Sequence, residues 1–548
     1  MASHRAALKK LEQIQRSFTK EDIIKCLQLF KELSPRKMEH GKEMIHYAEL
    51  CLFTLAYPAT RELFDLAEKR LKEIIAQVEQ FGKKHKEQLY YNSGIPGSEI
   101  CANFSLVHNE WLIEKFGEQA AWYSEGQNEA FIAGLLNFNL NPMEQEVMNA
   151  SKSEWDVWSE EITGSKKSKH QLLRHVVQET RRLSLPLAAK EFIFSEFKTY
   201  TSWKTKSDAP TMFGARAPKS KRFIHSDGIL KRMDISTALA QGVPKKISLS
   251  RSDKEKLIDL GKGTLAGLQR ETDPITYAQV QETELFDMGR GISIALYYMQ
   301  PEMKMSLQSY AGYMLFKNGV PCAYGGGWLL NKESGFGVNI FPPFRGGESA
   351  NVVCQLLRLY ALHFRADTFT VDPYQIGLDN PDGIQSGSFW FYYRLGFRPE
   401  QSSLFKLAES EFKKITSKKG YRSSEKILLQ LAHSSMRWVH PARSDRKFIS
   451  PDKCGDKVTA FINKNYQGNR SLALKNALEK IEAKCARKYS PHHSVAAIAV
   501  LADATGYIEK SSASELKAFL EVYAFKAKSE LTYIHDVQSF PHFFEGLR

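Results

Sequence analysis

Residues 310–350 read YAGYMLFKNGVPCAYGGGWLLNKESGFGVNIFPPFRGGESA, and this stretch decides the fold. Two runs rich in aromatic and branched residues, Tyr310–Phe316 and Val320–Leu330, are typical of buried strands. Asn318-Gly319 between them favours a type I′ turn, because both residue types tolerate positive φ. The stretch therefore predicts an antiparallel hairpin, whose second strand carries three glycines that allow a bulge or close backbone approach.

Two more strands flank the hairpin. They are expected over Arg290–Gln300 and Gly335–Phe341, and the second of them runs into Pro342-Pro343. Because proline cannot donate to a ladder, this strand must leave its neighbour at the two prolines. Backbone groups released by that departure would be free to contact a ligand.

A glycine-containing loop connects that break to a helix. Arg345 adds a positive charge, Gly346-Gly347 allow amides to converge, and an apolar stripe predicts a helix from about Glu348 to Phe364. The N-terminus of a helix carries unpaired N–H groups and partial positive charge, which attract phosphates. We therefore expect this loop to bind an anion such as a diphosphate.

Residues 368–397 add a strand and a helical segment. The strand is expected over Thr368–Asp372, and Asn380 followed by Pro381 is a typical helix start. The helix that begins there, or one that begins at Ser386, would end at Leu395, because Gly396 favours a helix stop.

Two motifs in this region resemble those of the GNAT superfamily of acyl-CoA-dependent N-acyltransferases. The family's cofactor loop is commonly written [Arg/Gln]-x-x-Gly-x-[Gly/Ala], and residues 345–350 (RGGESA) match its first and last positions, with Glu348 at the central glycine. The family's later helix commonly ends in Tyr-x-x-Leu-Gly-Phe, which residues 392–397 (YYRLGF) match. The resemblance is limited to about residues 285–400. The family's fold usually closes with strands after Gly-Phe, whereas residues from Glu400 onward are expected to be helical here.

The resemblance implies a mechanism in which an amine directly attacks the thioester of acetyl-CoA or another acyl-CoA, with no metal ion. Tyr392 would protonate the leaving thiolate, and we take Asp372 as the candidate base that accepts a proton from the amine. Backbone amides around Ile340 and Phe341 would hold the oxyanion. The implied cofactor-binding residues are Ile340, Phe341, Arg345, Gly346, Gly347, Glu348, Ser349 and Asn380.

Both catalytic candidates also have an ordinary structural interpretation. Tyr392 could be a core aromatic residue, since Phe389, Trp390 and Tyr393 surround it in the sequence. Asp372 could simply be an acidic turn residue at the end of a strand.

The overall composition is that of a globular chain with an excess of positive charge. Of 548 residues, 43% are hydrophobic and 25% are charged, with 76 lysines and arginines against 62 acids, a net charge of +14. Such an excess could attract nucleic acid, a membrane surface or a phosphorylated cofactor. The charge is spread along the chain, however, which also fits an ordinary soluble protein.

The clearest basic region spans residues 166–232. Its lysines and arginines are interleaved with Trp203, Phe213 and Phe223. Basic residues with aromatics can grip a nucleic-acid backbone and stack bases. The same composition also occurs in a solvated linker, so nucleic acid is an alternative partner for this region.

Cysteine usage and hydropathy bear on the compartment. The seven cysteines are odd in number and widely spaced, with no C-x-x-C pair, which favours reduced thiols over disulfides or a zinc ribbon. No secretory signal or membrane span is expected. These features favour a cytoplasmic location.

The neighbours His492-His493 would point apart and are not expected to chelate a metal.

We therefore expect an α/β (α+β) chain with one GNAT-like mixed sheet domain. A helical N-terminal domain would span residues 1–165, a basic and partly irregular connection 166–250, the GNAT-like domain 251–400 and a helical region 401–548. Within residues 251–400, Gly261-Lys262-Gly263 is expected to pack a helix rather than bind a dinucleotide.

Two functions remain open at this point. The first is an N-acyltransferase acting on a small-molecule or protein amine. The second is a non-catalytic GNAT-fold binding module, whose basic helical regions contact nucleic acid or a protein partner.

Overall fold

The computed structural model describes residues 2–82, 87–123, 128–151, 155–164, 168–443, 448–489 and 494–547. The pair His492-His493 lies outside the described residues. In the described part of the chain, no helix is long and apolar enough to cross a membrane.

The strands belong to two sheets. In chain order they are β1 (Glu99–Asn103), β2 (Ala120–Tyr123), β3 (Tyr200–Lys204), β4 (Lys245–Lys246), β5 (Glu284–Gly289), β6 (Ile292–Tyr297), β7 (Ser309–Lys317), β8 (Val320–Leu330), β9 (Glu333–Ile340), β10 (Thr368–Val371), β11 (Arg398–Pro399) and β12 (Met436–Val439). The large sheet has the order β11-β12-β10-β9-β8-β7-β6-β5-β4, and the small one β1-β3-β2. Every pair in the large sheet is antiparallel except β9 with β10.

The predicted hairpin is confirmed at its turn. Asn318 and Gly319 have φ values of 49° and 80°, as a type I′ turn requires, and β8 has the predicted bounds. The Asn318 side chain also donates to the carbonyl oxygens of Ala56 and Phe223, both at 3.0 Å. The turn is therefore tied to the N-terminal helices as well as closing the hairpin.

Helices dominate the N-terminal third of the chain. They are α1 (Ala2–Ile14), α2 (Lys20–Glu32), α3 (Lys42–Ala56), α4 (Arg61–Gly82), α5 (Leu106–Phe116), α6 (Glu129–Leu136), α7 (Pro142–Ser151), α8 (Trp155–Thr163), α9 (Lys169–Arg182) and α10 (Leu187–Glu196). Residues 1–165 are not purely helical, because β1 and β2 lie within them and pair with β3. These strands are only four or five residues long, and their partners lie about a hundred residues away in sequence. No local periodicity therefore predicts them.

The middle of the chain places helices around the large sheet. They are α11 (Ile235–Ala240), α12 (Arg251–Ala266), α13 (Asp273–Thr276), α14 (Ser349–His363), α15 (Pro373–Ile376), α16 (Pro381–Ser386) and α17 (Ser388–Arg394). Gly261-Lys262-Gly263 lies buried inside α12, so its expected role in helix packing is confirmed. Tyr360 of α14 packs against Phe336 of β9, which places α14 across one face of the sheet.

The C-terminal region is mostly helical, with one strand inside it. Its helices are α18 (Ser402–Ser417), α19 (Glu425–Leu431), α20 (Pro451–Tyr466), α21 (Arg470–Cys485), α22 (Ala496–Ala504), α23 (Tyr507–Lys510), α24 (Ala513–Phe525), α25 (Glu530–Asp536) and α26 (Pro541–Leu547). Strand β12, between α19 and α20, inserts into the sheet between β10 and β11. Many of these helices share one continuous hydrophobic core with the sheet and α1–α4.

Candidate functional site

The parallel strands β9 and β10 separate partway along their length. They pair only at Glu333–Thr368, Ser334–Phe369 and Gly335–Thr370, although β9 continues to Ile340 against β8. After β10 the chain turns into the short helix α15 and does not follow β9. The result is a gap between two strands, here called the strand split, that exposes one edge of β9.

Hydrogen bonding decides which amides face the strand split. The Phe341 N–H donates to Cys322 O at 2.9 Å, so it is committed to β8 and cannot serve as the expected oxyanion donor. The Val338 N–H points the other way, where the Gln375 side chain accepts from it at 3.4 Å. Because directions alternate along a strand, the Ile340 backbone shares the side of Val338, and Ile340 O accepts from Arg345 Nε at 3.3 Å.

The loop after β9 lies at the end of the strand split where β9 ends. Pro342–Phe344 makes a single 3₁₀ turn, which confirms that the strand ends at the two prolines. Arg345 and Gly346 are exposed, and Gly346 has φ of 76°, a left-handed value that glycine adopts without strain. The chain then enters α14 at Ser349.

Glu348 directs its carboxylate into the interior, away from the loop surface. Its side chain is fully buried and accepts from Lys317 Nζ at 2.5 Å and from Leu230 N at 2.7 Å. Arg290 lies 3.5 Å away. Burial alone would raise the pKa of the Glu348 carboxyl, but the charge and hydrogen bond of Lys317 hold it below its ordinary value. The carboxylate is therefore ionised and paired, and it does not occupy the predicted anion site.

The inward turn of Glu348 leaves α14 without a side-chain cap. Glu348 is the N-cap residue, yet its side chain accepts no backbone N–H from the first turn and bonds only the Asn351 side-chain amide there, at 3.3 Å. Among the described residues, the N–H groups of Gly346, Ser349 and Ala350 have no hydrogen-bond partner. We call these three amides, with the Arg345 side chain, the amide cradle. It matches the anion-binding pattern expected at a helix N-terminus.

Two residues from the N-terminal region contact the backbone of the cradle loop. The sequence did not indicate either of them. Arg16 donates to Arg345 O at 2.8 Å and to Pro343 O at 3.4 Å. Tyr57 packs beneath Gly347 and its hydroxyl contacts the Glu348 backbone. No local motif could have revealed either contact, since about three hundred residues separate the partners.

Tyr392 and Asp372 lie near enough for the charge of Asp372 to act on the Tyr392 phenol. Tyr392, on α17, is 3% exposed, and burial, followed by the charge of Asp372, raises the pKa of its phenol. Tyr392 therefore stays protonated, which is the form that can donate a proton. The exposed Asp372 caps α15 by accepting from Gln375 N at 2.9 Å. Asp372 therefore has a structural role as a helix cap. The cap uses only one of its two carboxylate oxygens.

Asn380 has a structural role. Its side chain accepts from Gly383 N at 3.2 Å, which caps α16 as predicted, and donates to Tyr374 O at 2.9 Å. The structure thus brings Arg345, Gly346 and Ser349 together at the cradle, and it places Asn380 in the cap of a neighbouring helix.

Two of the three aromatic rings that the sequence places in the basic region are enclosed by the protein. Trp203 and Phe213 are buried in hydrophobic cores, so their rings cannot contact a nucleic acid. Arg181 pairs with Glu110 at 3.4 Å, and Arg222 with Asp65 at 3.6 Å. Part of the positive charge in this region is therefore used within the chain.

Two of the larger cavities among the described residues lie away from the strand split. One of about 570 Å³ is lined by Lys246, Glu284 and Leu531, between the β4–β5 edge and α25. The other, of about 740 Å³, lies between α5 and α9 and is lined by Glu110 and Arg174. Within the described ranges, no group of three or more histidine, cysteine or acidic side chains is arranged to hold a metal ion.

Comparison with known proteins identifies no relative: no family model, curated protein or solved structure matches this chain.

Proposed function

We propose that this chain is an acyl-CoA-dependent N-acyltransferase with a GNAT-like domain, which transfers an acetyl or other acyl group to an amine. One observation carries the proposal: two parallel strands separate, and the uncapped N-terminus of their connecting helix lies at the end of the separation. The gap could take an extended chain, and the free amides could take a diphosphate. Acyl-CoA combines those two chemical parts.

The sheet beyond β10 also supports the proposal. The resemblance implies strands after Gly396-Phe397, and β11 follows directly at Arg398–Pro399. Strand β12 then returns after two helices to lie between β10 and β11, antiparallel to both. The helices α18 and α19 between these two strands would flank the acceptor side of the domain.

Each residue near the strand split has a chemical role in this proposal. Acyl-CoA, when bound, supplies the thioester carbon that a neutral amine attacks. The Val338 N–H would donate to the carbonyl oxygen once Gln375 moves away, a role that the sequence had given to Ile340 and Phe341. As the new C–N bond forms and the C–S bond breaks, Asp372 would accept the proton lost by nitrogen. Tyr392 would donate a proton to the departing sulfur.

Calorimetry with acetyl-CoA tests the binding step. We expect measurable heat and a micromolar-range dissociation constant for the full chain, and weaker binding for Arg345→Ala, because that change removes the exposed charge of the cradle. No heat at millimolar acetyl-CoA would contradict the proposal. It would favour the non-catalytic module instead, which is also consistent with the Gln375 side chain spanning the strand split.

Substitution of Tyr392 tests the catalytic step. Tyr392→Phe should lower CoA release with a panel of primary amines by about 10²–10⁴-fold, the usual effect of losing an acid catalyst, while acetyl-CoA binding stays unchanged. Tyr393→Phe is the matched control, since Tyr393 is a buried tyrosine on the same helix. Equal rates for the two variants would remove Tyr392 from the mechanism.

A further inference from the structure

Arg16 connects the N-terminal helices to the amide cradle. It follows α1, and its guanidinium lies 5.0 Å from the centre of the Phe53 ring on α3. Both terminal nitrogens donate to loop carbonyls, to Arg345 O at 2.8 Å and to Pro343 O at 3.4 Å. A residue 329 positions away in sequence thus holds the predicted anion loop.

The geometry of the peptide bond makes this contact informative. In a trans peptide the C=O of one residue and the N–H of the next point in opposite directions. Because Arg345 O points to Arg16, the Gly346 N–H must point to the opposite side, where the structure leaves it without a partner. A methyl group on Gly346 would lie 3.0 Å from Arg16 Nη1, which confirms that the guanidinium sits directly against this peptide.

Rotation of this peptide would abolish anion binding by the loop. If the 345–346 peptide turned over, a carbonyl oxygen would replace the N–H in the cradle and repel a phosphate. Gly346 lacks a side chain and has a positive φ, so its own conformational preference does little to prevent such a rotation. The two charge-assisted hydrogen bonds from Arg16 supply the restraint.

We infer that Arg16 is a positioning residue, which orients the Arg345–Gly346 peptide so that the cradle can bind the diphosphate of the acyl carrier. The inference rests on the proposed function for its ligand. It also makes the N-terminal helical region part of the binding site, rather than a separate domain beside it.

The first experiment measures affinity. Arg16→Met keeps the apolar stem of the side chain over Phe53 and removes both donors. We expect its dissociation constants for acetyl-CoA and inorganic pyrophosphate to rise about tenfold or more, as for loss of one charge-assisted hydrogen bond. Added guanidinium, below denaturing concentrations, should restore part of the affinity of Arg16→Ala. Arg5→Met, an exposed arginine of α1, is the matched control and should bind as wild type.

The second experiment measures the orientation of the Arg345–Gly346 peptide directly, without any ligand. Only Gly291 and Gly346 follow an arginine in this sequence, so carbonyl-¹³C arginine with ¹⁵N glycine gives two amide signals in a carbonyl-edited spectrum. In Arg16→Met the Gly346 signal should shift, and its solvent exchange should change, while Gly291 serves as the internal reference.

The outcomes separate the two ideas. If wild type binds both probes and Arg16→Met binds them equally well, the positioning role is overturned. If wild type binds neither probe, the proposed function fails, and the spectrum still decides whether Arg16 orients the peptide. A Gly346 signal identical in wild type and Arg16→Met overturns the inference in either case.

Discussion

Glu348 stands where the GNAT motif commonly has a glycine, and burial of its charge explains how the loop tolerates it. A carboxylate without water needs a close cation, and Lys317 at the end of β7 supplies one at 2.5 Å. This pair draws the acidic side chain inward, so the departure from the motif does not block the cradle. The hairpin that carries Lys317 therefore also determines how α14 begins.

His225 is buried beside Glu348 and Lys317. Its pKa predicts how the free energy of unfolding depends on pH. Burial, followed by the charge of Lys317, lowers the pKa of this imidazole to about 4, whereas a histidine in the unfolded chain has a pKa of ~6.5. Between these values the unfolded chain binds more protons than the folded one. The free energy of unfolding should therefore fall as pH drops through that window, by up to about 1.4 kcal/mol per pH unit.

Urea unfolding of wild type and His225→Gln at pH 7.5, 6.5 and 5.5 measures this contribution. The difference between the two proteins should shrink toward low pH, because the variant lacks the buried imidazole. Glu348 does not interfere, since its contribution is lost only below the unfolded glutamate value of ~4.3. The exposed His433→Gln is the control, and parallel curves for wild type and His225→Gln would refute the assignment.

Among the secondary-structure elements, α15 carries the side chain that lies in the strand split. Asp372 caps it, and the cap holds Gln375 where its side chain accepts from Val338 N–H. A ligand in the strand split would have to displace that side chain. We expect Gln375→Ala to bind acetyl-CoA about two- to tenfold more tightly, because only one weak hydrogen bond needs to be broken.

Calorimetry on Gln375→Ala checks this, with the exposed Gln385→Ala on α16 as the control. Unchanged affinity would mean that Gln375 leaves the strand split at no cost. Weaker binding would instead make Gln375 a ligand-contacting group.

The sequence predicts those elements whose signals are local. The turn at Asn318-Gly319, the bounds of β8, the Asn380 cap and the start of α14 all follow from residues within a few positions of each other. Strands β1, β2 and β12 escape prediction, because they are short and pair with residues far away in sequence. Gln375, Arg16 and Tyr57 escape for the same reason, since tertiary contact alone brings them to the site.

At the scale of the whole molecule, two hydrophobic cores divide the chain. The larger one joins α1–α4, the nine-stranded sheet and the C-terminal helices. The smaller one lies between the three-stranded sheet and α5–α10. Helix α12 connects them, because Leu257 packs in the larger core and Ala266 in the smaller one. The domain boundary at residue 165 expected from the sequence therefore runs through the smaller core.

Substitution of Trp203 tests whether the smaller core unfolds locally as a separate cooperative unit. This fully buried residue on β3 pairs with Ile100 on β1 and Ala120 on β2, and its ring lies 4.7 Å from that of Phe116. Trp203→Ala should cost about 3–5 kcal/mol and speed hydrogen exchange in β1, β2 and α5, while β7 and β8 stay protected.

Trp438→Ala on β12 is the matched change in the larger core, and it should speed exchange around β10 and β12 instead. If either substitution accelerated exchange throughout the chain to the same extent, the two cores would form one cooperative unit. In that case α12 would transmit loss of packing from one core to the other, and changes in the small-sheet region would weaken the strand split as well. Separate responses would mean that the strand split depends on the larger core alone, as the contacts of the neighbouring amide cradle with Arg16, Tyr57 and α14 indicate.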